Sequence, residues 1–213
     1  MPRPTLRAFH RRLLRHYGPL GWWPGDTAFE VIVGAVLTQN TAWANVEKAI
    51  ANLKRAGVLE LRSIQRLRAP RLAGLIRPAG YFNVKARRLQ NLVRAITADW
   101  GGDLERMFAA PTEELRSWLL AVNGVGKETA DSILCYAGEH PVFVVDAYTR
   151  RVLSRHDLVP QEIDYDALQE YCLRHLPQDL ALFNQLHAEI VYLGKDYCRK
   201  RPRCEGCPLE EFL

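Results

Sequence analysis

Apolar residues recur along this chain at three- and four-residue steps almost from end to end, the spacing of one face of an α-helix. Leu6, Phe9, Leu13 and Leu14 stand at i, i+3, i+7 and i+8. Residues 29–37 are apolar on nearly every side, which predicts a buried helix. Helical spacing continues through 46–53, 89–100, 113–122, 127–136, 148–153, 165–176 and 180–193. Thr112 ahead of Glu113 and Glu114, and Asp164 ahead of Tyr165, have the character of helix starts. Gly18, Gly57, Gly80, Gly101, Gly102 and Gly138 punctuate the joins. Residues 142–145 suit a short strand, but no second run offers a partner. There is no repeat and no low-complexity linker. The pattern predicts an all-α protein of about ten helices.

Bulk properties narrow the class. The chain has 213 residues, 48% of them apolar, enough for one large domain or two lobes with a shared core. Its net charge of +5, carried mainly by arginine, suits a polyanionic partner. Charge alone suits a solvated basic surface equally well. The Arg-rich residues 1–17 lack the apolar segment of a signal peptide, and no run approaches the ~18 apolar residues of a membrane span. A cytoplasmic protein with no membrane partner is expected. Of five cysteines, three lie at 198, 204 and 207, which does not resemble a disulfide framework.

Two features carry chemistry. In Asn123-Gly124-Val125-Gly126 the glycines permit a tight turn with close backbone approach, and a following helix would present unpaired N–H groups to a phosphate. Lys127 stands beside it to add charge. Such a turn also serves as a plain connection between helices. About twenty residues later Asp146 ends an apolar stretch and starts the next helix. A fixed carboxylate there stabilises positive charge developing on a sugar ring as a base departs, or orients a water. It also suits a helix N-cap, and the two roles are compatible.

The runs V-L-T-Q-N-T (36–41), G-Y-F-N-V-K-A (80–86), N-G-V-G-K-E-T-A-D (123–131) and V-V-D-A-Y-T-R-R (144–151), with the cysteine tail, occur in the order seen in the helix-hairpin-helix DNA glycosylases. The chain resembles that superfamily on its endonuclease III-like branch. The resemblance implies an all-α, two-lobed fold with a C-terminal cysteine loop and a DNA-binding cleft. One lobe, residues 22–131, is a helical barrel including the hairpin. The other combines 1–21 with 132–213. It implies base-excision repair by a monomer acting on double-stranded DNA that contains a damaged base. Asp146 matches the catalytic aspartate, and Gln39 or Asn40 falls in the loop that reaches the lesion. Gly124, Gly126, Lys127 and Lys85, with Arg87 and Arg88 beside the last, are expected at phosphates, as are Arg199 and Arg201 of the tail.

One departure bears on the reaction. Bifunctional members carry a nucleophilic lysine two residues after the second hairpin glycine, where this chain has Glu128. Glutamate cannot form a Schiff base, so a monofunctional glycosylase is expected, with Glu128 facing the flipped base or a water. The alternatives are a bifunctional glycosylase/lyase acting on oxidised pyrimidines through another lysine, and a non-catalytic module that senses damage. Trp22-Trp23-Pro24 ahead of the 29–41 run resembles the endonuclease III-like 3-methyladenine glycosylases. This makes Trp22, Trp23 and Trp43 candidates to stack on an extruded base. A cationic alkylated base would gain cation–π attraction as well, so an alkylated purine is the first substrate expected. Cys198-x5-Cys204-x2-Cys207 resembles the C-x6-C-x2-C-x5-C pattern that holds a [4Fe–4S] cluster. The first spacer is one residue short, and Leu213 stands where the fourth cysteine would fall. A [4Fe–4S] cluster on Cys198, Cys204 and Cys207 is the leading expectation, beside zinc or no metal.

Overall fold

The computed structural model describes residues 5–213 and is helical, with no strand among them. The chain divides into two compact units. One is continuous, Pro24–His140; the other joins the chain up to Trp23 with Pro141–Leu213. The second boundary lies beyond the expected residue 131, because the helix begun at Lys127 runs on without a break as a π-helical turn, Ile133–Ala137. Trp22 and Trp23 fall in the discontinuous unit.

The continuous unit contains α2 (Ala28–Leu37), α3 (Trp43–Arg55), α4 (Leu61–Arg66), α5 (Ala69–Leu75), α6 (Phe82–Trp100), α7 (Leu104–Phe108), α8 (Thr112–Ala121) and α9 (Lys127–Ser132). Thr27 caps α2 by accepting the Glu30 N–H at 3.1 Å. Nine of the ten α2 residues are buried, which makes this helix the axis on which α3, α6, α9 and the π-helical turn pack. The short helices α4, α5 and α7 escaped the periodic reading because a single buried side chain in α4 and in α7, and two in α5, leave no period to detect. Thr112 begins α8 but does not cap it; its hydroxyl meets His140 Nδ1 at 2.8 Å.

The discontinuous unit holds α1 (Leu6–Tyr17), α10 (Ala147–Arg155), α11 (Tyr165–His175) and α12 (Leu180–Asp196). Leu6, Phe9 and Leu13 of α1 enter its core, whereas Leu14 stays partly exposed. Asp146, Asp164 and Asp179 each cap the helix that follows, accepting a backbone N–H at 2.7, 3.0 and 3.1 Å. Residues 142–145 are buried but form no strand. The Phe143 carbonyl, lacking a ladder, takes the Gln169 amide at 2.8 Å. None of the described helices is long and apolar enough to cross a membrane, and all five cysteines are free thiols.

Candidate active site and DNA-binding hairpin

The turn between α8 and α9 needs its two glycines for different reasons. Gly124 has φ +100°, and a Cβ there would lie 2.3 Å from Arg88 Cγ. Both backbone and space therefore demand glycine. Gly126 has φ −97° and nothing within 4 Å of its would-be Cβ. What it offers is open access to the backbone. The turn is braced from below. Gln39 Nε2 donates to the Gly124 carbonyl at 3.2 Å and to Thr129 Oγ1 at 2.9 Å, and its Oε1 accepts from Arg88. Asn91 donates to the Asn123 carbonyl at 3.1 Å. Arg116 grips the fully buried Asp131 with two bonds, 2.7 and 3.1 Å. Gly126, Lys127 and Glu128 remain at the surface.

This bracing separates Gln39 from Asn40. The Gln39 amide is committed to the hairpin, while Asn40 is exposed at the loop tip with φ +52°. Lys85 corrects the sequence reading. Its side chain is 1% exposed, and Nζ donates to Leu37 O at 2.8 Å, Thr41 Oγ1 at 2.6 Å and Ala79 O at 2.7 Å. Three acceptors match the three N–H bonds of an ammonium. Burial, helped by the charge of Arg88, lowers its pKa to about 8. Lys85 therefore ties α2 and the loop after it to the turn before α6, and it does not reach a phosphate. Arg87, two residues on, is exposed. Tyr81, just ahead of α6, is 72% exposed with φ +44°, an outward aromatic that the sequence reading passed over.

Asp146 belongs to the other unit, and its two oxygens have separate duties. Oδ1 accepts the Thr149 N–H at 2.7 Å and the Thr149 hydroxyl at 2.9 Å, which is the helix cap. Oδ2 lies 3.6 Å from His187 Nε2 on α12. The carboxylate side chain is only 13% exposed. Burial opposes its ionisation, but the imidazole and the Thr149 donors outweigh burial and hold the carboxyl below the usual carboxylate range. It is therefore charged at neutral pH. His187 was not foreseen, since one histidine in an apolar helix reads as ordinary core. Its ring also meets Trp22 edge-on, centroids 6.0 Å apart, and Trp22 meets Trp23 at 5.5 Å. The loop carrying both tryptophans is tied to α12. Gln185 accepts the Leu20 N–H at 3.0 Å and donates to Gly18 O at 2.9 Å and to the buried Glu189 at 2.8 Å. Helix α12 thus carries the imidazole, holds the loop of the paired indoles and faces the carboxylate that caps α10. Trp43 is placed in the continuous unit, in the first turn of α3, half-buried beside a hollow of about 350 Å³ that Glu30 and Glu47 also line.

In the tail, Cys198, Cys204 and Cys207 line one cavity of about 260 Å³ with His156 and Arg155. Among the described residues, no three His, Cys, Asp or Glu side chains converge as the ligands of a single metal ion would. Burial, with the nearby Cys198, Cys204 and Glu210, pushes the Cys207 thiol up. Arginines hold the loop. Arg151 donates to Cys198 O at 2.6 Å and Gly194 O at 3.3 Å, and Arg155 to Arg199 O at 2.6 Å, Lys200 O at 3.0 Å and Cys198 Sγ at 3.2 Å. Arg199 bonds back to Lys195 O at 2.7 Å, and both Arg199 and Arg201 are exposed. Neither other thiol lines this cavity: Cys172 is a buried residue of α11, and Cys135 is in the continuous unit. Three thiols around one cavity are the type of donor an iron–sulfur cluster takes.

Comparison with known proteins agrees with this arrangement. Residues 33–178 match the HhH-GPD superfamily of base excision DNA repair proteins. A Methanocaldococcus jannaschii protein assigned as a DNA repair glycosylase is 46% identical over 207 residues, covering 95% of this chain and 93% of its own. The solved structure of H. pylori 3-methyladenine DNA glycosylase MagIII bound to 1,N6-ethenoadenine superposes with a TM-score of 0.79 at 33% identity, covering 90% of this chain and 98% of that one. An endonuclease III–DNA complex shares the fold, with a TM-score of 0.83 at 20% identity over 97% of this chain and 92% of that one. With its all-helical fold, its glycine hairpin and its ionised, capped aspartate, this chain belongs to the HhH-GPD superfamily of base excision DNA repair proteins and is a DNA N-glycosylase.

Proposed function

We propose that this glycosylase is monofunctional and removes an alkylated purine such as 3-methyladenine, hydrolysing the N-glycosidic bond and leaving an abasic site. The observation that carries the reaction is Asp146: a largely buried carboxylate, held ionised, with one oxygen spent on the cap and the other turned to His187. Loss of the base leaves positive charge on the sugar, and a fixed anion there lowers the barrier without having to reorganise. The monofunctional assignment is supported by Glu128, which stands in the first turn of α9 where bifunctional relatives of the family carry lysine. Support for the substrate comes from the Trp22–Trp23 pair, whose Trp22 meets the His187 ring that faces the carboxylate, and from likeness to MagIII, whose solved complex holds 1,N6-ethenoadenine. Indole faces attract cationic bases that neutral bases do not match.

In the proposed sequence of events, the backbone at Gly126 and the charge of Lys127 bind phosphates of double-stranded DNA, with Arg199 and Arg201 adding contacts from the tail. Asn40, not the committed Gln39, enters the base stack. The damaged base is received by Trp22 and Trp23. Asp146 supports its departure, and water completes the hydrolysis. Cys198, Cys204 and Cys207 would hold a [4Fe–4S] cluster. When bound, the cluster supplies a covalent cross-link that stiffens the basic loop.

The test uses duplexes each carrying one defined lesion: 3-methyladenine, thymine glycol, or uracil or thymine opposite guanine. Strand cleavage is scored with and without alkali. Cleavage of the 3-methyladenine duplex only after alkali is the expected result. Cleavage without alkali, or a borohydride-trapped adduct on abasic DNA, would show that a lysine is the nucleophile. Binding without base release from any duplex would refute the enzyme assignment.

A further inference from the structure

The cavity in the tail is lined by three thiols and one imidazole, those of Cys198, Cys204, Cys207 and His156, and by no carboxylate side chain. A cubane cluster presents about four iron sites, each calling for one protein ligand. The position from which a fourth cysteine would be expected is Leu213, and Leu213 itself forms part of the cavity wall. Two acidic side chains near the C-terminus are engaged. Glu210 accepts the Gly206 N–H at 3.0 Å, and Glu211 pairs with Arg12 at 2.8 Å.

His156 is 9% exposed, at the C-terminal end of α10, and its ring is held on two sides. Phe9 meets it edge-on, with centroids 4.9 Å apart, and Nδ1 lies 3.3 Å from the Phe212 carbonyl oxygen. A carbonyl only accepts, so the proton of this contact sits on Nδ1, and Nε2 keeps its lone pair. Metal-bound imidazoles are held in this way, one nitrogen on a backbone carbonyl and the other on the metal. Charge fits as well. Three thiolates leave a cluster anionic, and Arg155 already donates to Cys198 Sγ at 3.2 Å while Arg203 lines the same cavity.

We infer that His156, through Nε2, is the fourth protein ligand of an iron–sulfur cluster held by Cys198, Cys204 and Cys207. This rests on the proposal that the tail carries a cluster at all, and the experiment separates the two. The full chain and its His156→Ala and His156→Cys variants are reconstituted without oxygen using ferrous iron and sulfide. Iron and sulfide per chain are measured, with visible absorbance, electron paramagnetic resonance and the reduction potential. Far-UV circular dichroism checks that each variant is folded. Wild type should take up about four irons and four sulfides. His156→Ala should lose about a quarter of the iron and, after oxidation, give the signal of a [3Fe–4S] centre. His156→Cys should keep all the iron at a lower potential, because imidazole in place of thiolate raises it. Wild type that takes up no iron, or zinc alone, would overturn both the cluster and its ligand. Wild type with a full cluster whose iron content and potential are unchanged in both variants would overturn the ligand only. If His156→Ala does not fold, an unshifted potential in His156→Cys still decides against the ligand.

Discussion

Replacing Asp146 in two ways separates its structural duty from its chemical one. In Asp146→Ala the Thr149 N–H and the Thr149 hydroxyl both lose their acceptor, and Thr149 is fully buried. A lost cap costs about 0.5–2 kcal/mol, and an unsatisfied buried hydroxyl adds to it, so the variant should be about 2–3 kcal/mol less stable. In Asp146→Asn the amide oxygen can keep both bonds, and asparagine caps as well as aspartate. Its stability should lie within about 1 kcal/mol of wild type. Chemistry follows the opposite pattern, because both variants lose the charge. A carboxylate about 4 Å from a developing positive charge contributes about 4 kcal/mol at an effective dielectric constant near 20. That corresponds to about 10³-fold in rate. The assay is single-turnover base release from a 3-methyladenine duplex, which isolates chemistry from product release, alongside urea unfolding. Two variants alike in rate and different in stability are expected. If Asp146→Asn released base within about tenfold of wild type, the carboxylate would be a cap and nothing more, and the catalytic argument would fail.

Removing the His187 ring by His187→Ala takes away one of the groups that hold Asp146 ionised, leaving the Thr149 donors, so the acid limb of the single-turnover rate should move to higher pH while DNA affinity changes little; an unmoved limb would exclude this role. The depressed carboxyl also contributes stability that is present above about pH 3.9 and is lost as pH falls through its folded value. The acid unfolding of Asp146→Asn should therefore be the shallower of the two. Lys85→Met strands two carbonyls and a hydroxyl, costing about 3–5 kcal/mol in urea, with the salt slope of DNA binding unchanged. A slope smaller by about 1 would restore the phosphate role. Gly124→Ala should lower stability by about 1–3 kcal/mol, because the new methyl meets Arg88 Cγ. Gly126→Ala should fold normally and bind DNA more weakly, and equal effects of the two on stability would contradict the division of labour in the turn.

Much of this was legible in sequence because the signals are local. Asp164 caps within three residues, the hairpin glycines act on their own backbone, and the apolar runs fix each long helix by its own period. The buried polar contacts that escaped are of one kind. Lys85 sits one residue from Ala86 and four from Leu89, squarely on the buried stripe of α6, and His187 lies between Leu186 and Ile190 on that of α12. His156 likewise follows Leu153 by three. A polar group on an apolar stripe must find a partner or forfeit its hydration, so its position signals that a partner exists. The partner itself is remote in sequence: Leu37 for Lys85, Asp146 for His187, Phe212 for His156. Periodicity carries no information at such separations. Lys85 read as a surface cation because Arg87 and Arg88 flank it, although one lies about 200° and the other about 300° further round the helix. The productive reading of such a sequence is therefore to treat each polar residue on a buried stripe as half of an unknown pair. In this chain one half joins a helix to the turn before another, one lies against the Asp146 carboxylate, and one lines the cavity of the tail cysteines.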